Sequence, residues 1–328
     1  MIGIFKQKNP ANLLLLFVTG VLIRLPVFMQ PYQPAPRPQD GVFFTAILRF
    51  LDPAVPAFPL LYPILTYFFL FIQAVGITRF INNQRMTSKP TYLPGLAYLL
   101  ITSLLPEWNH FSAPLLINTI LLFILSGLFG TYNKQNVLGA IFNIGLALGV
   151  AGFLFIPSFI FIAWVLLALA VMRPFRINEW LICLLGITTP FYFYVIYLVV
   201  TGTWSQAVMP DISIGWPAAR PTLWLAGSIF LLTVPFLAGG YYVQQHLRRM
   251  LINVRKGWSI LLLFLLTALL LLFINTGGTV ENWIMGLLPL AAFHGYAYLY
   301  AAWRPFPVLL FWLTIAFILA WQYAGPGW

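Results

Sequence analysis

Acidic side chains are scarce in this chain, six among 328 residues. One of them, Asp40, ends the polar part of RLPVFMQPYQPAPRPQDGVFF, residues 24 to 44, a stretch that holds five prolines. A carboxylate can take a proton from a reacting group. Arginine guanidinium groups make charge-assisted bonds to anions. The same stretch supplies two of them, Arg24 and Arg37. Elsewhere, Glu281 in NTGGTVENW, Asp211 in MPDISIGW and Arg220 just beyond it are groups of the same two kinds. Each also has a plainer use. Asp40 stands where an N-cap would stand, Glu107 and Glu281 stand at helix starts, and Asp211 fits a solvated loop.

The elements that must position these residues follow from composition. Hydrophobic residues make up 61% of the chain and charged residues 7%, with a mean hydropathy of +0.92. A soluble domain carries about 25% charged residues, so this chain has lipid as its solvent. Continuous runs such as LLLFLLTALLLLF indicate helices rather than the alternating strands of a membrane barrel. The pattern predicts an all-α integral membrane protein of about eleven spans, at 11–29, 57–79, 92–106, 113–131, 137–154, 158–173, 180–201, 221–241, 258–274, 283–303 and 306–323. Residues 1–328 read as one polytopic unit without an internal repeat. With the N-terminus inside, thirteen of the seventeen basic residues fall in inner segments, as the positive-inside rule requires. The chain is therefore expected N-in and C-out. Arg24, Arg37, Arg49 and Arg220 lie outside, with every acid except Glu179. Loops on a rigid scaffold carry function, which places the site on the outer face. The net charge of +11 is accounted for by topology and anionic lipid rather than nucleic acid.

The prolines between residues 31 and 38 forbid a regular helix, and DGVFFTAILRFLDP then resumes helical spacing. Val42, Ala46, Ile47 and Phe50 lie near one face of an expected amphipathic surface helix in the first outer loop. An Arg at the outer end of the first span, about fifteen residues to an Asp, then aromatics, a small residue and Arg resembles the polyprenyl-phosphate-sugar glycosyltransferases of C-type glycosyltransferase fold. On that resemblance Arg24 and Asp40 carry over, with Phe44 and Ala46 in the aromatic and small positions. Many members have a second acid beside the first, where this chain has Gly41, and many have a C-terminal outer domain. As a whole the chain also resembles an uncharacterised multi-pass membrane family of Bacteroidota-type bacteria. These resemblances imply the bacterial cytoplasmic (inner) membrane and a polyprenyl-phosphate-linked sugar as partner. In such a transfer Asp40 would be the base and Arg24, Arg37 or Arg220 would hold phosphate, with Glu281 at the substrate. A divalent metal would need at least two converging carboxylates, with Glu107 and His110 in PEWNHFS as further ligands.

Gln73, Asn118, Asn143 and His294 are polar residues inside expected spans, where they join helices or mark sites. No acid lies well inside a span, which weighs against an ion-driven transporter. The chain has no Walker loop, HExxH, nucleophile elbow or CxxC, and its single cysteine, Cys183, excludes an internal disulfide. Two function classes remain ahead of a transporter. One is a glycosyltransferase-like protein handling a lipid-linked sugar, active or degenerate. The other is a non-catalytic accessory or assembly subunit of an envelope complex, which binds other membrane subunits. The expected orientation has a direct check: cysteines introduced at Gln39 and at Gln135 should label from opposite sides of intact cells. Labelling of both from one side would overturn it.

Overall fold

A computed structural model of the chain describes residues 2–7, 9–204, 214–215, 222–274, 280–303 and 305–324. The regular elements among these residues are all helices, with no strand among them. In chain order the helices are α1 (Ile2–Phe5), α2 (Pro10–Ile23), α3 (Leu25–Met29), α4 (Val42–Leu51) and α5 (Leu61–Asn83). Next come α6 (Leu93–Ile101), α7 (Ala113–Gly130), α8 (Leu138–Leu154), α9 (Phe161–Met172) and α10 (Ile177–Thr201). The last are α11 (Leu223–His246), α12 (Ile252–Leu270), α13 (Leu287–Tyr300) and α14 (Pro305–Ala324). Six helices, α5, α7, α10, α11, α12 and α14, are long and apolar enough to cross a membrane. The chain is a membrane protein. In hydrocarbon every backbone N–H and C=O must be paired within the chain, which is why these apolar runs are helices.

Several expected spans are shorter than their apolar runs because proline interrupts them. Pro26 has no N–H to donate, so α2 ends at Ile23, Arg24 leaves helical geometry, and the short α3 follows. Pro106 forces Leu105 into extended backbone, φ −126° and ψ 139°, as the residue before proline prefers. The run at 92–106 accordingly yields only α6, nine residues and about 14 Å, which is too short to cross alone. It is followed by a 3₁₀ turn at Pro106–Asn109. A second 3₁₀ segment, Val280–Gly286, precedes α13.

These short elements survive because they do not face lipid. All nine residues of α6 are buried, as are eleven of the fourteen in α13. The two pack on each other at the centre, with Gly295 so close that an added Cβ would sit 2.8 Å from Pro94 N. Long helices surround them, and a helix wrapped in protein need not match the bilayer. The polar residues of the expected spans tie this centre together. Asn118 Nδ2 donates to Ile284 O at 2.9 Å, and Gln73 Nε2 donates to Leu115 O at 2.7 Å and Thr119 Oγ1 at 2.8 Å. His294 Nε2 donates to Leu232 O at 2.8 Å, linking α13 to α11.

The surface helix forms as α4, but it buries a different face from the one expected. Phe44 and Leu48 are inside, and Phe50 is 83% exposed. The helix is amphipathic, and the buried side is the one turned away from the exposed Arg49; what that side packs against is not set by periodicity. Tertiary structure supplies it as α8 and the ring of Phe111, 5.8 Å from Phe44.

Arg24 is 2% exposed and spends its donors inside the protein. Its Nε donates to Asn109 Oδ1 at 2.6 Å, Nη2 to Thr102 Oγ1 at 2.6 Å and to Leu99 O at 2.9 Å, and Nη1 to Gly20 O at 3.3 Å. Arg24→Ala takes the donor from Asn109 Oδ1 and Gly20 O, at about 1–3 kcal/mol for each left unpaired, while Leu99 O keeps the Ser103 hydroxyl and Thr102 Oγ1 its bond to Tyr98 O. The purified variant should show a clearly lowered thermal midpoint in detergent. An unchanged midpoint would mean that Arg24 is not structural.

Candidate functional site

The loop before α4 brings Asp40 to the end of the bundle where α7 begins. Its path is fixed by backbone pairing with the end of α8: Gly41 N donates to Leu154 O at 2.9 Å and Ile156 N to Gln39 O at 3.2 Å. At Gly41 a Cβ would lie 2.0 Å from Phe153 O and 2.3 Å from its carbonyl carbon. Nothing but glycine fits that approach, so the second acid of the glycosyltransferase pattern has no room here.

Gly41, not Asp40, is the N-cap of α4, and no side chain caps it. The Asp40 carboxylate turns back instead and accepts the Arg37 backbone N–H at 2.9 Å. Asp40 is half-buried. Burial pushes its carboxyl up to about 6 from the ordinary 3.8, against the pull of the Arg37 N–H and guanidinium. The group therefore titrates close to neutrality, where a general acid or base works best.

Arg37 forms a two-pronged ion pair with Glu281 across 244 residues of sequence: Nη2 to Oε1 at 2.6 Å and Nη1 to Oε2. Burial works against the guanidinium charge, but Glu281 outweighs it and holds the Arg37 pKa above its usual value. Tyr32 stacks on His110 with ring centroids 4.0 Å apart. Burial, with the Arg37 charge, lowers His110 to about 4, so the imidazole is neutral at pH 7. Asp40, Arg37, Glu281 and Tyr32 line one small cleft of about 10 Å³, room for about one water. Glu107 is close enough to Glu281 to act on its titration, and its Oε2 is buried with no hydrogen-bond partner.

Of the residues expected at the site, the structure gathers Asp40, Arg37 and Glu281. Arg24 does not join them, because its guanidinium is committed to α6 and the Pro106–Asn109 turn. Arg220 and Asp211 lie outside the described residues. The donors do not suit a divalent cation. Both Glu281 oxygens face Arg37, one Asp40 oxygen takes an N–H, and no three His, Cys, Asp or Glu side chains gather among the described residues. Asp52 and Glu179 serve packing. Asp52 accepts the Tyr62 hydroxyl at 2.6 Å, and Glu179 pairs with Arg173 Nε at 2.9 Å near the opposite end of α7.

One feature had no sequence signal. The turns Pro106–Asn109 and Val280–Gly286 are joined by Trp108 Nε1 donating to Val280 O at 2.9 Å. Glu281, on this joined pair, lines the polar cleft. Trp108 and Trp283 from the same pair line an apolar cavity of about 370 Å³ with Leu232, Phe236, Leu265 and Ala268. Tryptophans in a membrane protein read as interfacial belt residues, and only the packing of α11, α12 and α13 makes this pair a cavity wall.

The sequence matches a family of unknown function, DUF6427, over residues 47–324. The chain belongs to this family. The DUF6427 match takes in Glu107, His110, Glu281 and both cavity tryptophans, and begins after Arg24, Arg37 and Asp40. No curated protein and no solved structure matches the chain.

The raised pKa of Asp40 has a stability consequence with a definite sign. The folded state holds this proton more tightly than the unfolded state, so stability falls as pH rises from 3.8 towards about 6. Asp40→Asn keeps an acceptor for the Arg37 N–H and removes the titration. Thermal midpoints compared from about pH 4 to about pH 8 should show the variant gaining on the native protein as pH rises. Parallel curves would contradict a raised Asp40.

Proposed function

We propose that this membrane protein handles a lipid-linked sugar at its outer face, as a glycosyltransferase-like protein with Asp40 as its base. In this reading eleven helical segments are set N-in and C-out in the bacterial inner membrane. The Asp40 cleft then opens on the outer side. The observation that carries the reading is the shared wall. The Val280–Gly286 turn contributes Glu281 to a polar cleft holding a near-neutral carboxylate and Trp283, beside Trp108 of the bonded Pro106–Asn109 turn, to an apolar cavity of about 370 Å³. A polyprenyl-phosphate sugar has the matching division, a polar head on a hydrocarbon chain. Glycosyl transfer needs a group to take the acceptor hydroxyl proton. Asp40 is ionised to a substantial degree at pH 7 and still basic enough for that task. The leaving phosphate needs a cation. Among the described residues at the cleft that cation is Arg37, whose two-pronged grip on Glu281 a phosphate could exchange for its own oxygens.

The second reading, an accessory subunit of an envelope complex, is favoured by the size of the cleft. Its volume of about 10 Å³ admits water and not a sugar ring, so catalysis requires the 30–41 loop to open. Two variants separate the readings. Asp40→Asn should lower transfer from a polyprenyl-phosphate-sugar donor by about 10²–10⁴-fold with the protein still abundant and folded. Ala268→Phe, which fills the apolar cavity, should raise KM for that donor and leave kcat nearly unchanged. Undiminished transfer in Asp40→Asn would end the enzymatic reading. Stoichiometric co-purification of other subunits with an inert Asp40 would favour the accessory one.

A further inference from the structure

α7 begins in the sequence NHFSAPLL, where Ser112 stands before Ala113 and Pro114. A serine at a helix start ordinarily turns its hydroxyl back to accept the N–H of the second or third helical residue. Pro114, the second residue of α7, has no N–H to offer. Ser112 makes no side-chain cap bond, and its backbone is extended, φ −147° and ψ 156°. It is 6% exposed and lines the polar cleft with Ala113, Asp40 and Arg37. Its hydroxyl has no hydrogen-bond partner among the described residues. A second oxygen of the cleft is equally free. Asp40 Oδ2 accepts the Arg37 N–H, and Asp40 Oδ1 has no partner among the described residues. The space these groups line holds about one water.

Electrostatics decides what kind of oxygen belongs there. An anion would meet Asp40 and Glu281, and Arg37 is already taken by Glu281. An ammonium would meet Arg37 and the positive end of the α7 dipole. The first backbone bond of that helix runs from Leu116 N to Ser112 O at 3.3 Å, which leaves the N–H groups of Ala113 and Leu115 without an intrahelical acceptor. A neutral hydroxyl suits both sides, because it can donate to Asp40 Oδ1 and accept from Ser112 Oγ. As its proton passes to Asp40 the oxygen gains negative charge. The Ser112 hydroxyl and the α7 N-terminus then hold it more strongly than before.

We propose, on the reading of Asp40 as base for a lipid-linked sugar, that Ser112 and the α7 N-terminus form the seat of the acceptor hydroxyl. Water takes this seat when no alcohol does, so the protein also hydrolyses its donor. The 30–41 loop must open for the donor, but the seat itself is already formed. In hydrolysis the water oxygen bonds to the anomeric carbon, whose bond to the phosphate oxygen breaks. One water proton passes to Asp40, and the electron pair leaves with the lipid phosphate, which Arg37 receives. An alcohol in the same seat gives the glycoside by the same exchange of bonds.

The full-length chain in liposomes carries the test, with a polyprenyl-phosphate-linked hexose as donor and water labelled with heavy oxygen. The native chain should release free hexose labelled at its anomeric carbon and leave the lipid phosphate unlabelled. Methanol added to the same reaction should divert product to the methyl glycoside. Ser112→Ala should keep the native thermal midpoint, because the side chain makes no cap bond. It should also keep the KM for the donor and lose roughly tenfold in kcat for both products. Ser112→Thr retains the hydroxyl and should regain most of that rate. A native rate in Ser112→Ala, or equal losses in the alanine and threonine variants, would overturn the inference and leave the reading of Asp40 intact. Transfer to methanol without any labelled hexose would do the same. Neither product from the native chain, or label in the lipid phosphate, would bring down the reading of Asp40 and this inference with it.

Discussion

A buried arginine, held by neutral acceptors alone among the described residues, ties one end of the bundle together. α2 and α6 both stop early beside Arg24, and each helix end leaves carbonyls without an intrahelical donor. Inside a membrane no water replaces the missing donors. The guanidinium of Arg24 reaches Gly20 O on α2, Leu99 O and Thr102 Oγ1 on α6, and Asn109 Oδ1 on the following turn. Five N–H groups in a planar fork suit this task better than any other side chain. The helix breaks and the arginine act together: α2 and α6 end beside Arg24, which bonds Gly20 O and Leu99 O, while Asn109, itself held by Arg24, donates to Thr102 O.

What this device places is the Pro106–Asn109 turn, and the site follows from that placement. Asn109 is held by Arg24, Trp108 is bonded to Val280, and the two 3₁₀ turns become a single wall. On the polar side, Glu281 grips Arg37, Arg37 holds the Asp40 carboxylate through its backbone N–H, and Asp40 becomes a half-buried acid that titrates near pH 6. On the apolar side the same turns present Trp108 and Trp283 to a cavity. Arg24 acts on this chemistry only through the geometry it enforces. Its separation from the cleft is the largest change to the expected arrangement.

Gly41 changes meaning in a similar way. By resemblance it marks a missing acid. In the structure it is the point where the first loop lies against the end of α8, with the Phe153 carbonyl where a side chain would begin. That close approach fixes the turn that sends the Asp40 side chain back towards Arg37 rather than onto the start of α4. One carboxylate, rather than a pair, is what this packing permits.

The sequence by itself determined that the chain is helical and lives in lipid, because a composition with 7% charged residues and long apolar runs has no other stable solvent. It also marked the proline-rich loop, the helix α4 and the value of Asp40, Arg37 and Glu281, through their rarity in an apolar chain. Only the tertiary structure decided which of the polar groups meet. Arg37 and Glu281 are 244 positions apart, and no periodicity links them. Arg24 and Arg37 look alike in sequence. One is consumed by helix ends and the other is paired at the cleft, because hydrogen-bond demand is set by where helices stop. The apolar cavity was likewise hidden, since apolar residues state that they are buried without stating against what.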